Sequence, residues 1–324
     1  MKNLLIAGVS ILVLAGVDST RAEVFPSRPL TMVVPLPAGS AFDVTARLLA
    51  ERMQASLGQP VIVENPTGAS GSIGTGNCAR ATPDGYTLCF GGMGTHVLNG
   101  AVLPLTYDVL KDFEPVSLIA TAQLLIVAKK TMAAGDLKEF IAFLKANPGK
   151  LSQGDGGPGS LTHLAGVSLQ AETGARFGSV PYRGSAAAVN DLVGGHIDFM
   201  IDLAPNSLPH VRAGAIKAYA VMDRTRLGAA PEIPTVDEAG LPGFYMSAWQ
   251  AIWAPKGTPP TVIDRLNFAI VDALADPAVR SRLADVGQEA FPRGQLTPQA
   301  LSALQKTEIE KWWPVIKAAK LKLE

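Results

Sequence analysis

The chain has 324 residues, of which 48% are hydrophobic and 17% are charged, and its 28 basic residues are balanced by 28 acidic ones. This composition supports a packed core and excludes an intrinsically disordered chain. The balanced charge excludes long-range attraction to nucleic acid or anionic lipid, and the length predicts two domains rather than one.

The first 22 residues have the pattern of a cleavable signal peptide. Lys2 supplies a positive charge, residues 4–17 are almost wholly apolar, and Thr20-Arg21-Ala22 places small residues at the cleavage positions. The alternative is a membrane anchor, but this apolar run is shorter than the roughly 20 residues that span a bilayer. We therefore expect export of the protein, with cleavage after Ala22.

Strands and helices alternate from the start of the mature chain. Residues 30–35 form an apolar run typical of a buried parallel strand. Residues 43–57 have helical spacing of apolar side chains and end at Gly58. A second strand is predicted over 61–63, a second helix over 72–80 and a third strand over 86–90. Such repeated units predict a mostly parallel sheet with right-handed crossovers.

The rest of the chain predicts a second α/β unit and a return to the first. A long β-like stretch over 113–128 precedes helices and strands that alternate as far as residue 221, and three helices follow an extended segment near Ser247. We expect an α/β fold in which the chain crosses between domains twice, near Leu124 and near Ser247, and so forms a hinge. The predicted division is residues 1–22 signal peptide, 23–124 and 247–324 domain 1, and 125–246 domain 2.

Three turns rich in Gly and Ser run directly into predicted helices, within residues 35–43, 66–74 and 156–163. A helix N-terminus leaves about four amides without intrahelical partners and carries the positive end of the helix dipole, so it favours an anion. In open α/β sheets, ligands bind beyond the carboxyl ends of strands, and all three turns occupy such positions. The pattern predicts a cleft that binds an anion with few Lys or Arg side chains.

Each turn also has a purely structural interpretation. Ser40 and Asp43 match a capping box of the S-x-x-D type. Ser70 lies in a Gly/Ser string of low information content, and Ser160 is an N-cap three residues before His163. Both interpretations hold together if the side chains shape the turns while backbone amides face the cleft.

A secreted hydrolase that uses Ser160 and His163 is the competing enzymatic interpretation. Such a pair requires a nucleophile elbow such as G-x-S-x-G, an orienting acid and an oxyanion hole, and only loose fragments of these occur. Residues 154–159 satisfy G-x-G-x-x-G, which a dinucleotide fold needs after the first strand of a βαβ unit with an acidic residue about 20 positions on. Glu172 is only loosely placed for that role, and Pro158 disturbs the turn. We therefore expect neither an enzyme nor a nucleotide cofactor.

Two further segments are candidates for the cleft. Tyr182, Arg183 and Gly184 supply an aromatic wall and a cation before another predicted helix. Arg183 either contacts an anion or is a solvated loop charge. Asp202 follows the predicted strand 196–201, where it either binds an amine or simply ends the strand.

The two cysteines, Cys78 and Cys89, lie on a predicted helix and on the next strand. In an exported protein an even number of cysteines permits a disulfide, and a helix that folds back onto its next strand brings the pair together. Two buried thiols are the alternative. No His or Cys spacing matches a metal site.

Ten segments across the mature chain resemble one family, the substrate-binding proteins of tripartite tricarboxylate transporters, often called the Bug family. The most distinctive are ATPDGYTL (81–88), VPYRG (180–184) and IPTVDEAGLPGF (233–244), in this order. The resemblance implies a two-domain Venus-flytrap fold of the type II binding-protein class. It also implies a monomer in the periplasm that binds a small carboxylate between its domains and delivers it to membrane transporter subunits. A protein that only senses its ligand for a signalling partner is a further alternative.

In the family, the ligand is held largely by backbone groups and ordered waters. The resemblance assigns this role to matching residues in the three turns and, nearby, to four more: Ala38, Gly39, Ser40, Asp43, Ala69, Ser70, Gly71, Gly159, Ser160, His163, Tyr182, Arg183, Gly184 and Asp202. The chain departs from the family pattern at Ser40 and Ser70, where glycine is frequent, and the bulk of Phe42 is expected to narrow or rearrange the pocket mouth. The identity of the ligand therefore does not follow from the resemblance.

Overall fold

The computed structural model describes residues 25–157 and 159–318 of the chain. The predicted signal peptide, residues 1–22, lies outside this described part.

The N-terminal third alternates strands and helices, as the sequence predicts. Helix α1 begins after the N-cap Ser40 and ends at Gly58, whose φ of 73° is a left-handed conformation open to glycine. The elements are β1 (Leu30–Val33), α1 (Ala41–Leu57), β2 (Val61–Glu64), α2 (Ser72–Ala79), β3 (Thr87–Gly92) and the short α3 (Asn99–Val102).

The rest of the chain forms a second alternating set and then returns to helices. The middle set is β4 (Phe113–Lys129), α4 (Leu137–Ala146), β5 (Ser152–Asp155), α5 (Leu161–Thr173), β6 (Gly178–Pro181), α6 (Ser185–Gly194), β7 (Phe199–Leu203), α7 (Ala204–Arg212) and β8 (Ile216–Val221). The last set is β9 (Ser247–Pro255), α8 (Pro260–Ala275), α9 (Pro277–Asp285), β10 (Gln288–Ala290) and α10 (Pro298–Ala318).

The structure corrects the sequence prediction around β7. The strand covers Phe199–Leu203 rather than 196–201, so Asp202 lies inside it and does not follow it. The prediction was wrong because aspartate disfavours strands, whereas here tertiary contacts hold the carboxylate in place. Helix α7 is absent from the prediction because Pro205 and Pro209 interrupt the helical pattern, although Pro205 occupies the first turn, where no N–H is needed.

The strands form one path in the order β2-β1-β3-β9-β4-β7-β5-β6, and β10 and β8 also pair with β4. Strands β1, β2 and β3 are mutually parallel, and so are β5, β6 and β7. Strands β9 and β4 are antiparallel to their neighbours, so the prediction of a mostly parallel sheet is right for the two outer groups and wrong for the centre.

Strand β4 belongs to two groups of strands. Its residues 113–123 pair with β9, and within them 120–122 pair with β10; these strands with β1, β2 and β3 form the first sheet. Its residues 124–129 pair with β7 and β8, which with β5 and β6 form the second sheet. The amide of Met222 donates to the carbonyl of Leu124 at 2.8 Å, which ties the end of β8 to the crossing point.

The pairing directions bring two sets of strand ends toward one another. Strand β3 is antiparallel to β9, which is antiparallel to β4, so β3 runs in the direction of β4, toward the second sheet. Strand β7 is antiparallel to β4 and therefore runs back toward the first sheet. The carboxyl ends of β1–β3 consequently face those of β5–β7, and this is the place where ligands bind in open α/β sheets.

Apolar side chains cover both faces of each sheet. Helices α1 and α8 bury Leu49, Met53, Leu266 and Ile270 on one face of the first sheet, and Leu301 of α10 packs on the other. Helices α4, α5, α6 and α7 enclose the second sheet in the same way. Burial of each large side chain stabilises the fold by roughly 1.5–3 kcal/mol, so the strand ends are held on two rigid platforms.

Cys78 at the end of α2 and Cys89 in β3 are joined in a disulfide, with their Cα atoms 5.9 Å apart. Both residues are buried. The bond ties α2, which begins within the turn 66–74, to the first sheet.

Candidate functional site

The first turn, residues 35–43, is shaped by its own side chains. Gly39 has a φ of 79°, and its amide donates to Oδ2 of Asp43 at 2.8 Å. In return, the amide of Asp43 donates to Oγ of Ser40 at 3.3 Å. The amides of Ala41 and Phe42 have no hydrogen-bond partner among the residues that the structure describes. The two bonds resemble a capping box, except that the carboxylate accepts from the residue before the N-cap, and among the described residues they leave two amides of α1 open.

Asp43 is 2% exposed, and every contact of its carboxylate serves the turn. Besides Gly39, it accepts hydrogen bonds from Arg47 Nε and from Asn65 Nδ2, each at 3.0 Å. Burial by itself raises the pKa of Asp43, but the hydrogen bonds from Arg47, Gly39 and Asn65, together with the charge of Arg47, outweigh it, and the pKa is lowered from 3.8. Asp43 is therefore an ionised anchor beneath the turn.

The third turn, residues 156–163, repeats this arrangement at the end of β5. Gly159 has a φ of 77°, and its amide donates to Nδ1 of His163 at 3.2 Å. The amide of His163 donates to Oγ of Ser160 at 3.2 Å. Within the described part of the chain, the amides of Leu161 and Thr162 have no partner. Among the described residues, each sheet therefore carries one helix with the same cap and two open amides.

These contacts differ from those of a catalytic serine and histidine. Oγ of Ser160 accepts from the backbone of His163 and lies 3.2 Å from Oγ1 of Thr162. Nδ1 of His163 accepts from Gly159, so the neutral ring carries its proton on Nε2. A general base for Ser160 needs a side-chain hydrogen bond to its hydroxyl, and the two side chains make no such bond.

The second turn, residues 66–74, has a strained backbone. Ala69 and Ser70 have φ angles of 45° and 53°, in the left-handed region that costs a non-glycine residue about 1–3 kcal/mol. Asn99 Nδ2 holds the carbonyl of Ser70 at 3.0 Å. Gly71 has a φ of 86°, and a methyl group there would lie 2.9 Å from Cγ2 of Thr95 and 3.1 Å from the carbonyl oxygen of Pro35 in the first turn, so this position favours glycine.

The segment 182–184 lies beside the third turn and opposite the first. The amide of Tyr182 donates to the carbonyl of Asp155 at 2.8 Å, which holds the segment next to the end of β5. A methyl group at Gly184 would lie 3.4 Å from Cγ of Pro37 in the first turn. Arg183 is exposed and makes no ion pair with any residue that the structure describes. Residues of both sheets therefore meet at this point.

Asp202 lies beneath this segment, where it is 1% exposed. Its carboxylate accepts from Ser185 Oγ at 2.5 Å, Ser207 Oγ at 2.8 Å and Asn206 Nδ2 at 3.2 Å. Burial raises the pKa of Asp202 above 3.8 and outweighs these hydrogen bonds. The carboxylate joins the starts of α6 and α7 to β7.

Phe42 does not line the mouth of the site. It is 7% exposed, and its ring packs edge to face on Phe90 with the ring centroids 5.9 Å apart. The expectation that its bulk narrows the pocket was wrong, because the first turn of α1 directs this side chain into the core of the first sheet.

Sequence reasoning missed the residues that support the turns. Arg47 and Asn65 hold Asp43, and Asn99 holds Ser70. The position of Asn65 directly after β2 is a signal that could have identified it, since a polar residue at a strand end often serves a site. Asn99 has no comparable sequence signal, because only the fold places it beside the turn.

The described residues hold no group of three His, Cys, Asp or Glu that could bind a metal ion. Across the same residues, no helix is long and apolar enough to cross a membrane.

Comparisons with known proteins agree with this architecture. The model of the tripartite tricarboxylate transporter family receptor matches residues 45–321. The periplasmic binding protein BugD is 37% identical and superposes with a TM-score of 0.86, covering 92% of this chain and 100% of BugD.

Two similar structures contain ligands. MatC from Rhodopseudomonas palustris with bound malate is 37% identical, with a TM-score of 0.85 over 90% of this chain and 100% of its own. A second R. palustris protein, with adipate, is 32% identical, with a TM-score of 0.87 over 92% of this chain and 100% of its own.

These likenesses establish the fold as α/β, in the two-domain type II class of periplasmic binding proteins. The similar proteins bind solutes and are not enzymes, so the hydrolase interpretation was wrong. The chain belongs to the tripartite tricarboxylate transporter receptor family and is a solute-binding receptor of that family.

Proposed function

We propose that the receptor binds a small carboxylate between its two sheets, on the N-termini of α1 and α5. The repeated cap carries the proposal: Gly39 is bound by Asp43 and Gly159 by His163. With the third helical amide bound by the serine hydroxyl, the amides of the first two helical residues remain open among the residues that the structure describes. A carboxylate accepts hydrogen bonds from such amides and gains from both helix dipoles.

The facing strand ends support a shared site. Both helices begin at strand ends that point toward one another across the hinge, and Gly184 lies near Pro37. Arg183 adds a cation at this meeting point that forms no ion pair with any described residue. The malate and adipate bound by the similar proteins support a carboxylate as the ligand class.

The predicted ligand-binding residues divide into three roles in this proposal. The open amides, the hydroxyls of Ser40, Ser70 and Ser160, and the side chain of Arg183 contact the ligand directly or through water. The buried carboxylates and the histidine position them: Asp43, His163 and Asp202. Ala38, Gly39, Ala69, Gly71, Gly159, Tyr182 and Gly184 form the walls and turns around the ligand.

We further propose the domain division that the sequence predicts, with domain 1 comprising 23–124 and 247–324 and domain 2 comprising 125–246. The change of partners along β4 between Gln123 and Leu124 supports this boundary. The ligand favours closure of the domains only if it binds the closed state more tightly than the open one. Small-angle scattering should then show compaction when ligand is added.

Export through the signal peptide at residues 1–22, function as a monomer, and delivery to membrane transporter subunits complete the proposal. The family supports the transporter as partner. Genes for large and small membrane subunits beside the gene for this protein would favour transport over sensing.

A thermal-shift screen tests the ligand class. The panel contains mono-, di- and tricarboxylates, amino acids and neutral amides. A ligand at 100 times its dissociation constant adds about 2.7 kcal/mol to the native state, which raises the melting temperature by several degrees. A shift with one class of carboxylates supports the proposal, and a shift with an amide but with no acid contradicts it.

A further inference from the structure

A cavity of about 190 Å³ lies beside the strands that connect the two sheets. None of the described residues of the three turns lines it. We call it the hinge cavity, because residues on both sides of the point where the chain crosses between the sheets bound it. The first sheet and α10 form part of its wall, and the segments after β8 and before β9 form the rest. Its apolar and aromatic walls are Met93, Trp249, Trp312, Met222, Tyr245 and Met246.

The walls of the hinge cavity suit an apolar body that also carries a hydrogen-bond acceptor. Met93, Met222, Trp249 and Trp312 are buried, and methionine and aromatic side chains make favourable contacts with aromatic rings. Nε1 of Trp249 is buried and has no acceptor within the described part of the protein. Buried N–H groups without partners are rare in folded proteins, and Trp249 is one of the residues that line the cavity.

Two cations stand at the rim. The guanidinium of Arg224 lies 5.0 Å from the centre of the Tyr245 ring, and Nζ of Lys311 lies 4.9 Å from the centre of the Trp312 ring. Both cations line the cavity, and neither forms an ion pair with any described residue. Each is held against an aromatic wall with its charge open to a ligand.

The two carboxylates at the rim are already bound within the protein. Asp223 accepts from Gln123 Nε2 at 3.1 Å and from the amide of Arg224 at 2.6 Å. Glu308 accepts from Nε1 of Trp312 at 2.8 Å. These neutral donors leave both carboxylates charged, so the rim carries two positive and two negative groups. The side chains of Arg224 and Lys311, however, donate no hydrogen bond to any described residue, and their N–H groups are therefore free to bind a carboxylate.

We propose that the hinge cavity is a second binding site, for a small aromatic carboxylate. Its carboxylate pairs with Arg224 and Lys311, and its ring packs on the methionines and on Trp249. Because the walls come from both sides of the hinge, the occupied cavity favours one angle between the domains. The occupant therefore changes the affinity of the cleft for its own ligand, and the reverse effect has the same factor.

Benzoate and its neutral analogue benzamide test the site, with binding measured by titration calorimetry and tryptophan fluorescence at fixed ionic strength. We expect benzoate to bind wild type at least tenfold more tightly than benzamide. Lys311→Met and Arg224→Gln should each raise the dissociation constant of benzoate roughly tenfold, as expected for the loss of one hydrogen bond to a charged group. Lys306→Met is the matched control, because Lys306 is exposed on the same helix but does not line the cavity, and it should leave benzoate binding unchanged.

A second titration, with the cleft saturated by the best carboxylate of the thermal-shift panel, separates the two sites. If benzoate and the cleft ligand each change the dissociation constant of the other by the same finite factor, the result supports a distinct hinge site. Direct competition, an absence of benzoate binding, or unchanged benzoate affinity in Lys311→Met and Arg224→Gln would overturn the proposal. Failure of the cleft proposal is independent of these outcomes, since it appears as a panel in which no acid shifts the melting temperature.

Discussion

The backbone amide of Gly159 donates to Nδ1 of His163 at 3.2 Å, four residues further along the chain. In the turn at the other sheet, the amide of Gly39 makes the equivalent bond and donates to Oδ2 of Asp43 at 2.8 Å. Each cap also has a serine hydroxyl as a second acceptor, Ser160 in one and Ser40 in the other. An imidazole and a carboxylate thus perform the same task, which is to bind the glycine amide that precedes the N-cap and so fix the shape of the turn.

The open amide of Leu161 can be removed without breaking α5. Leu161→Pro deletes the N–H at the first helical position, where proline is well tolerated, and Ser160 already has the extended backbone that a residue before proline prefers, with a ψ of 157°. We expect the dissociation constant of the cleft ligand to rise about tenfold, from the loss of one hydrogen bond to a charged group.

Leu161→Ala is the control for this change, because it removes the same side chain but keeps the amide. Calorimetry should find ligand affinity close to wild type in Leu161→Ala. Equal affinities in the proline and alanine variants would contradict a role for this amide.

Replacement of His163 tests the equivalence of the two caps. His163→Asp keeps an acceptor for Gly159, as Asp43 does for Gly39, so we expect most of the affinity and stability to remain. His163→Ala leaves the amide without its acceptor and should lower the free energy of unfolding by about 1 kcal/mol. Denaturant unfolding and ligand titration measure both, and an alanine variant as tight and stable as wild type would refute the positioning role.

The buried carboxylates Asp43 and Asp202 should affect stability with opposite dependence on pH. The folded-state pKa of Asp43 is lowered from 3.8, so its contribution is present above that pH and is lost as the pH falls through the folded-state pKa. The pKa of Asp202 is raised, so its contribution is complete below 3.8 and is lost as the pH rises through the folded-state pKa.

Denaturant unfolding between acidic and neutral pH checks this with Asp43→Asn and Asp202→Asn. The stability difference from wild type should shrink on acidification for Asp43→Asn and shrink on alkalinisation for Asp202→Asn. Parallel trends in the two variants would show that the environments of these carboxylates are not as described.

The disulfide between Cys78 and Cys89 should stabilise the folded protein. It closes a loop with a sequence separation of 11 residues, and in the chain-entropy model such a cross-link is worth about 2–3 kcal/mol. Unfolding of the protein with and without reductant measures this difference, and alkylation of the denatured, unreduced protein reports free thiols. Full alkylation without reductant would exclude the bond.

Local features of the site were predictable from the sequence. Ser40 and Ser160 were identified as caps, because an N-cap depends on bonds to residues only three positions away. The long strand near residues 113–128 and the helices that follow the turns also agree with the structure, since apolar periodicity reflects which face of each element is buried.

The remaining features depend on residues that are distant in sequence. Asp202 was placed after a strand because its partners on α6 and α7 cannot be read from its neighbours. Phe42 was placed at the pocket mouth because nothing near it in the chain indicates that Phe90 lies beneath it.

By itself, the sequence determined most of the order of strands and helices, the glycine turns and the caps, because each rests on backbone preferences and contacts within a few residues. Only the tertiary structure decided which amides remain open and which carboxylates are bound by other groups of the protein. It also decided that β4 joins two sheets whose strand ends face one another. The physical reason is that a buried polar group must find partners wherever the fold places them. For Asp43 these include Asn65, 22 residues away.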